Sequence, residues 1–357
     1  MSAISVILVL LTFFIALFNV FTIRRPKDIS PVAEAVTVIV PMRNEAENVR
    51  ACLLSLAEQR YLEQIQFLII DDASIDETAS LIEKSIAGDQ RFSVISSPEL
   101  RDGWLGKVSA LQSGYERAVC DYLVTIDADV RLKPQALASA INQLKKLDLD
   151  FISPYPRQIS RTFIENLIQP LLHWSWMSTV ILRLAEKYPA RSTAIANGQF
   201  FVARKEALDE IGGFTTVSEK ILDDIEIARS LIKVGFRGIV TEGSDIAHTR
   251  MYSSFSQLRS GYGKSLWKAF GGPIGSVFAV ALIFFVGIYP FILALNGYLL
   301  GIILYLLTII TRQMSALSAR SNPLYAFAHP LSCVVLIYLI AYSWLMRGKI
   351  QWKGRTV

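Results

Sequence analysis

Apolar and polar positions along this chain follow two different rhythms. Residues 4–23 pass without a charge, and about twenty apolar residues is the length of one helical crossing of a roughly 30 Å hydrocarbon layer. From about Val36 to Ser260 the apolar runs are short and polar stretches separate them. Residues 36–40, 66–70, 92–95 and 121–126 read as strands. The first is apolar apart from Thr37, as a parallel strand covered on both faces should be. Helices are predicted over 44–56, over 74–84 with Ser74 and Glu77 as a capping box, over 108–118 and over 223–234. Strands alternating with helices predict an α/β domain with a mostly parallel sheet. The apolar rhythm then returns. Residues 275–311 would make one helix roughly 55 Å long, too long for a single span, and Asn296-Gly297 divides them into a hairpin. Residues 327–346 form a last apolar stretch.

The flanks of these blocks carry orientation. A signal peptide at 4–23 would need a charged start, a shorter apolar core and a small-residue cleavage site. Here the start is uncharged and Arg24, Arg25 and Lys27 follow directly, which places that end in the cytoplasm by the positive-inside rule. Lys264 and Lys268 before the hairpin, and Arg312 and Arg320 after it, put both of its ends on that side. If 327–346 crosses, the basic tail of Arg347, Lys349, Lys353 and Arg355 lands outside, against the rule. With 298–311 short for a span, three crossings and four both stay open. The expected organisation is an anchor (1–24), an α/β domain (36–250), surface-lying helices (251–272), membrane helices (273–346) and a basic tail (347–357). That describes a multi-pass protein of the cell membrane with its α/β domain in the cytoplasm.

Composition agrees with a membrane protein. Apolar residues make up 52 % of the 357 and the mean hydropathy is +0.39. Lys plus Arg is 36 against 31 acids, a net charge of +5. That excess suits a neighbour of anionic lipid and is too diffuse for a nucleic-acid binder. Cys52, Cys120 and Cys333 show no paired spacing, so neither a disulfide framework nor a zinc site is implied.

In a parallel sheet, ligands bind beyond the carboxyl ends of the strands. There this sequence places Arg43-Asn44-Glu45, Asp71-Asp72 and Asp127-Ala128-Asp129. Two carboxylates two residues apart in an extended segment can face the same way, and they repel unless a cation sits between them. Mg²⁺ or Mn²⁺ prefers such oxygen ligands and shares them with phosphates. A solvated turn is the plainer reading. Asp71-Asp72 could accept hydrogen bonds from a base or ribose, or close a turn. Lys107, at the start of a helix after Gly103-Trp104-Leu105-Gly106, could meet a diphosphate, but the full P-loop pattern is missing. Asp223-Asp224 opens a helix. One carboxylate could be a general base, or both could serve the helix dipole. His248 is a candidate third metal ligand, whereas His173 and His329 lie in apolar surroundings and read as structural.

In this order the clusters resemble the family 2 glycosyltransferases of GT-A fold. The resemblance rests on Val38-Ile-Val-Pro-Met-Arg-Asn-Glu45, Asp71-Asp72-Ala-Ser74, Gly106-Lys107 with Ala110-Leu111 and Gly114, and Asp127-Ala-Asp129. It continues through Asn197-Gly-Gln-Phe-Phe-Val-Ala-Arg204, Gly212-Gly-Phe214 and Asp223-Asp224. The match covers roughly residues 36–270. It implies an inverting, single-displacement transfer from a nucleotide-diphosphate sugar, a UDP-sugar first among them. Pro41, Arg43, Glu45, Asp72, Lys107 and Asp127 would lie at the nucleotide sugar, Asp129 and His248 at a divalent metal (Mg²⁺ or Mn²⁺), and Asp224 with Asp223 at the base. Asp223 departs from the Glu usual in that motif. Gln257-Leu-Arg-Ser-Gly-Tyr262 does not match the Gln-X-X-Arg-Trp of processive synthases, which speaks against a long-chain polymerase. The 103–107 loop, Arg250-Met-Tyr252 and Trp352-Lys-Gly-Arg355 are similar to a carotenoid-acid and hopanoid-associated branch.

Residues 163–184 suit an interfacial helix with its aromatic residues at headgroup depth, or else a buried core helix. The acceptor side is expected at Gly198, Gln199, Trp174, Trp176, Arg250 and Tyr252, with a membrane lipid or carotenoid as acceptor. Two alternatives stay open. One is a polyprenyl-phosphate sugar transferase, for which Arg157, Arg161 and Arg204 would supply extra cations. The other is a non-catalytic membrane scaffold with a relic nucleotide domain.

Overall fold

The structure is a computed structural model that describes residues 2–97, 100–349, 351, 352, 355 and 356. Lys353 and Gly354 of the closing segment lie outside the described residues. The chain forms two compact units, one of residues 24–157 and 184–249 and the other of residues 1–23, 158–183 and 250–357. The α/β part is therefore not one continuous run, because residues 158–183 cluster with the apolar helices.

The first unit is built on a seven-stranded sheet in the order 92–96, 62–71, 32–42, 122–126, 200–204, 151–155, 238–242. Val32–Met42 pairs in parallel with Leu62–Asp71 on one side and Tyr122–Ile126 on the other. Its residues from Val36 to Val40 are buried without interruption, which explains their unbroken apolar character. Phe200–Arg204 runs antiparallel to both of its neighbours. Ile39, Leu68, Ile70, Leu111, Leu123 and Phe201 share one core. Gly114, on the helix Gly106–Tyr115, lets that helix approach closely, since a Cβ there would lie 2.7 Å from Ile39.

The strand expectations fall on observed strands, extended at their ends. The capping box does not form. The helix begins at Thr78, and the Glu77 side chain makes no cap bond. Instead Asp76 Oδ1 accepts from the Thr78 amide at 3.0 Å, and Ser74 Oγ accepts from the Asn44 amide at 3.1 Å. The start of the segment is thus a loop tied to the neighbouring strand end.

The second unit is helical. Among the described residues, four helices are long and apolar enough to cross a membrane: Ser2–Thr22, Pro273–Leu295, Leu299–Ser318 and Pro323–Leu345. Leu299–Ser318 has 20 residues, so the segment that looked short in sequence spans about 30 Å. Gly297, at φ +77°, makes the turn between the second and third. Residues 163–184 are not one helix. Phe163–Ile168 and Pro170–Thr179 meet at a break, and a second break follows at Val180. Asn19 of the first helix is fully buried and spans that second break, donating through Nδ2 to the carbonyls of Met177 (2.9 Å) and Val180 (2.7 Å). Its Oδ1 accepts from the Leu182 amide at 3.1 Å.

Charge separates with the units. The helical unit holds 12 of the 36 Lys and Arg but only 1 of the 31 acids, Glu165.

Candidate active site

The strand ends of the α/β unit are laced together before any site is formed. Arg43 Nη1 donates to the carbonyls of Asp72 (2.5 Å) and Ala73 (3.0 Å). The Asp72 amide donates to the Met42 carbonyl at 2.8 Å, just past Pro41, and Asp72 is only 5 % exposed. The Glu45 amide donates to Thr78 Oγ1 at 2.7 Å, and Glu45 Oε2 accepts from Asn48 Nδ2 at 2.8 Å. Pro41, Arg43, Glu45 and Asp72 thus come together, and Arg43 is spent on backbone carbonyls that fix the loop.

A second cluster forms where Tyr122–Ile126 ends, where two helices begin, and where the loop before Phe200–Arg204 passes. Lys107, in the first turn of Gly106–Tyr115, places Nζ 2.7 Å from Asp127 Oδ1 and 3.9 Å from Asp223 Oδ2. Asp224 Oδ2 accepts from the Gly198 amide and its Oδ1 from the Ile225 amide, both at 2.8 Å. A Cβ on Gly198 would lie 3.2 Å from Lys107 Nζ and 3.3 Å from Asp224 Cβ, so a side chain there would push these groups aside by a few tenths of an ångström. Asn197 and Gln199 bracket it, with the Gln199 amide on Asn197 Oδ1 and Asn197 Nδ2 on Gln199 Oε1, each at 3.0 Å. Gly198 and Gln199 therefore belong beside Lys107 and Asp224.

The electrostatics single out two carboxyls. Burial, and then the Asp127 carboxylate, push Asp129 up to about 6, with the Lys107 charge opposing. Burial, and then Asp223, push Asp224 up to about 6, with the Gly198 amide opposing. Burial works against the charge on Lys107, but Asp127, Asp223 and Asp224 outweigh it and hold its pKa above the ordinary lysine value. One cation thus serves all four carboxylates of the cluster, the half-buried Asp129 among them. That is the environment a hard divalent cation relieves.

His248 pairs in register with Arg131 on a short antiparallel ladder. Burial and then the cations Arg131, Arg157 and Lys133 lower its pKa. Among the described residues no group of three or more His, Cys, Asp or Glu side chains is arranged to hold a metal, and His248 lies on the ladder strand that pairs with Val130–Leu132, directly after Asp129.

The other acceptor-side candidates lie in the helical unit. Trp174 and Trp176 are 5 % and 6 % exposed. They are core side chains and not a belt at headgroup depth, because the break at Pro170 turns that helix into the bundle. Arg250 is paired with Glu165, Nη2 to Oε1 at 3.3 Å, and Tyr252 packs against Tyr262 at 5.9 Å between ring centroids. Glu165, which the pattern of the sequence did not single out, is fully buried. It accepts from the Arg161 amide (2.7 Å) and the Thr162 hydroxyl (2.9 Å) as well as from Arg250. Its position three residues after Thr162 was the available signal. Arg204 pairs in register with Tyr122, at the opposite end of the strand from Asp127 and roughly 17 Å away. It is no help to an acceptor phosphate at this cluster.

An α/β domain with a mostly parallel sheet and an acidic cluster at its strand ends defines the GT-A class of sugar-nucleotide enzymes. Residues 37–212, just under half of the chain, match the model of glycosyl transferase family 2, and the chain contains a glycosyltransferase domain of that family. Among curated proteins, the 4,4'-diaponeurosporenoate glycosyltransferase of Staphylococcus aureus (strain MRSA252) is 26 % identical over 267 residues, covering 73 % of this chain and 68 % of that one. The protein of the same name from strain USA300 is 25 % identical over the same length. Among solved structures, the mannosyltransferase PcManGT from Pyrobaculum calidifontis, in complex with GDP-Man and Mn²⁺, has a similar fold. Its TM-score is 0.55 at 20 % identity, with 96 % of each chain covered. The relic-scaffold alternative falls with the family assignment.

Proposed function

We propose that this chain transfers a sugar from a nucleotide-diphosphate donor to a lipid or carotenoid-type acceptor at a membrane, with inversion at the sugar. The observation that carries the reading is Asp224, a half-buried carboxyl raised to about 6 and aimed by two amides. A base poised near neutrality takes the proton of an acceptor hydroxyl as the bond to the sugar forms. Lys107 and the amide-rich start of its helix suit a diphosphate, and the laced loop around Asp72 and Glu45 suits the nucleoside. Asp127 and Asp129 fit a divalent cation, Mg²⁺ or Mn²⁺, by the donor chemistry just described. Such an ion would neutralise charge on the departing diphosphate. The names of the curated relatives support an acidic carotenoid as acceptor, and the four apolar helices support a multi-pass protein. Arg24, Arg25 and Lys27 after the first helix support a cytoplasmic catalytic unit.

The test is Asp224→Asn in the full chain, assayed for sugar transfer to a hydroxyl acceptor while Mn²⁺ binding is followed separately by electron paramagnetic resonance. Transfer should fall by about 10²–10⁴ with Mn²⁺ binding retained. Near-normal turnover would remove Asp224 from the base role.

A further inference from the structure

We infer that the helical unit contains a binding site for the acidic head, carboxylate or phosphate, of a long-chain lipid, with Arg312 as its cation. Arg312 lies in Leu299–Ser318, one of the four membrane-length helices, and is 2 % exposed. Its Nη2 donates to the Leu167 carbonyl at 3.3 Å, and its Nη1 is buried with no hydrogen-bond partner. The side chains that feel its charge are Tyr262, His329 and Cys333, none of them an acid. Nearby indole and imidazole nitrogens are in the same condition. Trp174 Nε1 and His329 Nδ1 are buried without partners, on rings 4.8 Å apart.

The unit cannot neutralise this guanidinium from within. Its single acid, Glu165, is committed to Arg250, Arg161 and Thr162. A buried, unmatched guanidinium among apolar helices is costly and marks function by default. The Leu167 carbonyl offers a plainer explanation, because the break at Gln169–Pro170 disturbs the helix around it and a neighbour's donor makes good the loss. A neutral amide would do that work, and the positive charge goes beyond it. Carboxylate and phosphate are the groups whose oxygens match the planar fork. Its neighbours Leu167 and Cys333 belong to an apolar core that also takes in Trp174 and Leu171, so a ligand that reaches Arg312 passes apolar side chains and suits an apolar chain. This inference concerns binding within the helical unit and stands whether or not the sugar reaction is as proposed.

The test uses the full chain in a neutral detergent and native mass spectrometry with oleate, oleyl phosphate, methyl oleate and inorganic phosphate. Wild type should bind oleate or oleyl phosphate in preference to methyl oleate, and the tighter of the two anions names the head. Arg312→Gln keeps an N–H for Leu167 but loses the charge. It should weaken both anions by at least about tenfold and leave methyl oleate unchanged, while Arg312→Lys, which keeps the charge and loses the fork, should fall between wild type and Arg312→Gln. Anion binding unchanged in Arg312→Gln, an equal loss for acid and ester, or inorganic phosphate binding as well as the chained anions would each overturn the inference. If Arg312→Gln does not fold, the wild-type comparison decides, and no preference for acid over ester overturns it.

Discussion

At the scale of single residues, Asp224 does two things that pull in opposite directions. As a base it must be ionised, so transfer to a hydroxyl acceptor should rise with pH through about 6, where burial and Asp223 have moved it. As a half-buried carboxyl it disfavours the folded state when ionised. Its folded pKa lies above the ordinary aspartate value near 4. Its contribution to stability is therefore fully present below the unfolded pKa and lost as pH rises from about 4 to about 6. A pH–rate profile and a pH series of melting temperatures should move in opposite directions across that window in wild type. In Asp224→Asn the rate profile should flatten, while the fall in melting temperature should shrink but persist, because Asp129 titrates in the same window. A rate profile still rising through 6 in that variant would assign the titration to another group. Asp127, Asp129 and Asp224 could be picked out from sequence because acidic clusters recur at successive strand ends and again at a helix start, in the order of the family's motifs. The partners that tune them could not. Lys107 reaches Asp127 and Asp223 across 20 and 116 residues of chain, and Gly198 matters for what it lacks.

At the scale of elements, the strands in the first half of the sheet were legible because each is a β-branched run followed by polar residues. The strands in the second half were not. Phe151–Tyr155 contains Ser153 and Pro154, and Phe200–Arg204 owes its place between two distant strands to pairing that no local pattern encodes. The apolar stretch 163–184 misleads in another way, since composition shows its greasiness but not its breaks. Asn19 answers the second break with three hydrogen bonds from inside a membrane-length helix. Replacing it by Leu keeps the volume and strands those backbone groups. An unsatisfied buried group costs about 1–3 kcal/mol, so Asn19→Leu should lower the melting temperature of the detergent-solubilised protein by several degrees. An unchanged melting temperature would show that the break needs no such brace. The terminal apolar blocks, by contrast, translate directly into helices of membrane length, because backbone groups in lipid leave little other choice.

At the scale of the whole molecule, net charge hides a strong partition. The helical unit carries 12 basic residues and one acid, while the α/β unit keeps the remaining acids for its strand-end chemistry. Arg259, Lys264 and Lys268 sit on the helix Phe255–Ala269, which precedes the second membrane-length helix. Each surface cation near an anionic bilayer contributes about 1 kcal/mol. Spin-labelled phosphatidylglycerol should therefore be held around this protein in excess over phosphatidylcholine. The excess should shrink as added salt shortens the screening length from about 10 Å at 0.1 M to about 3 Å at 1 M. Equal retention of both lipids at low salt would contradict it.

The chain crosses between its two units repeatedly, and that route imposes a timetable on synthesis. Residues 158–183 leave the ribosome before Phe200–Arg204 exists, yet that late strand must slot between two earlier ones. At about 5–20 residues per second, the edge of Tyr122–Ile126 waits roughly 4–15 s for its neighbour. Over the same interval a greasy detour of the nascent polypeptide needs shelter. A secreted or free-floating version cut from residues 24–249 would carry that detour into water, so overproduction without a bilayer or an insertion factor should yield inclusion bodies and not enzyme.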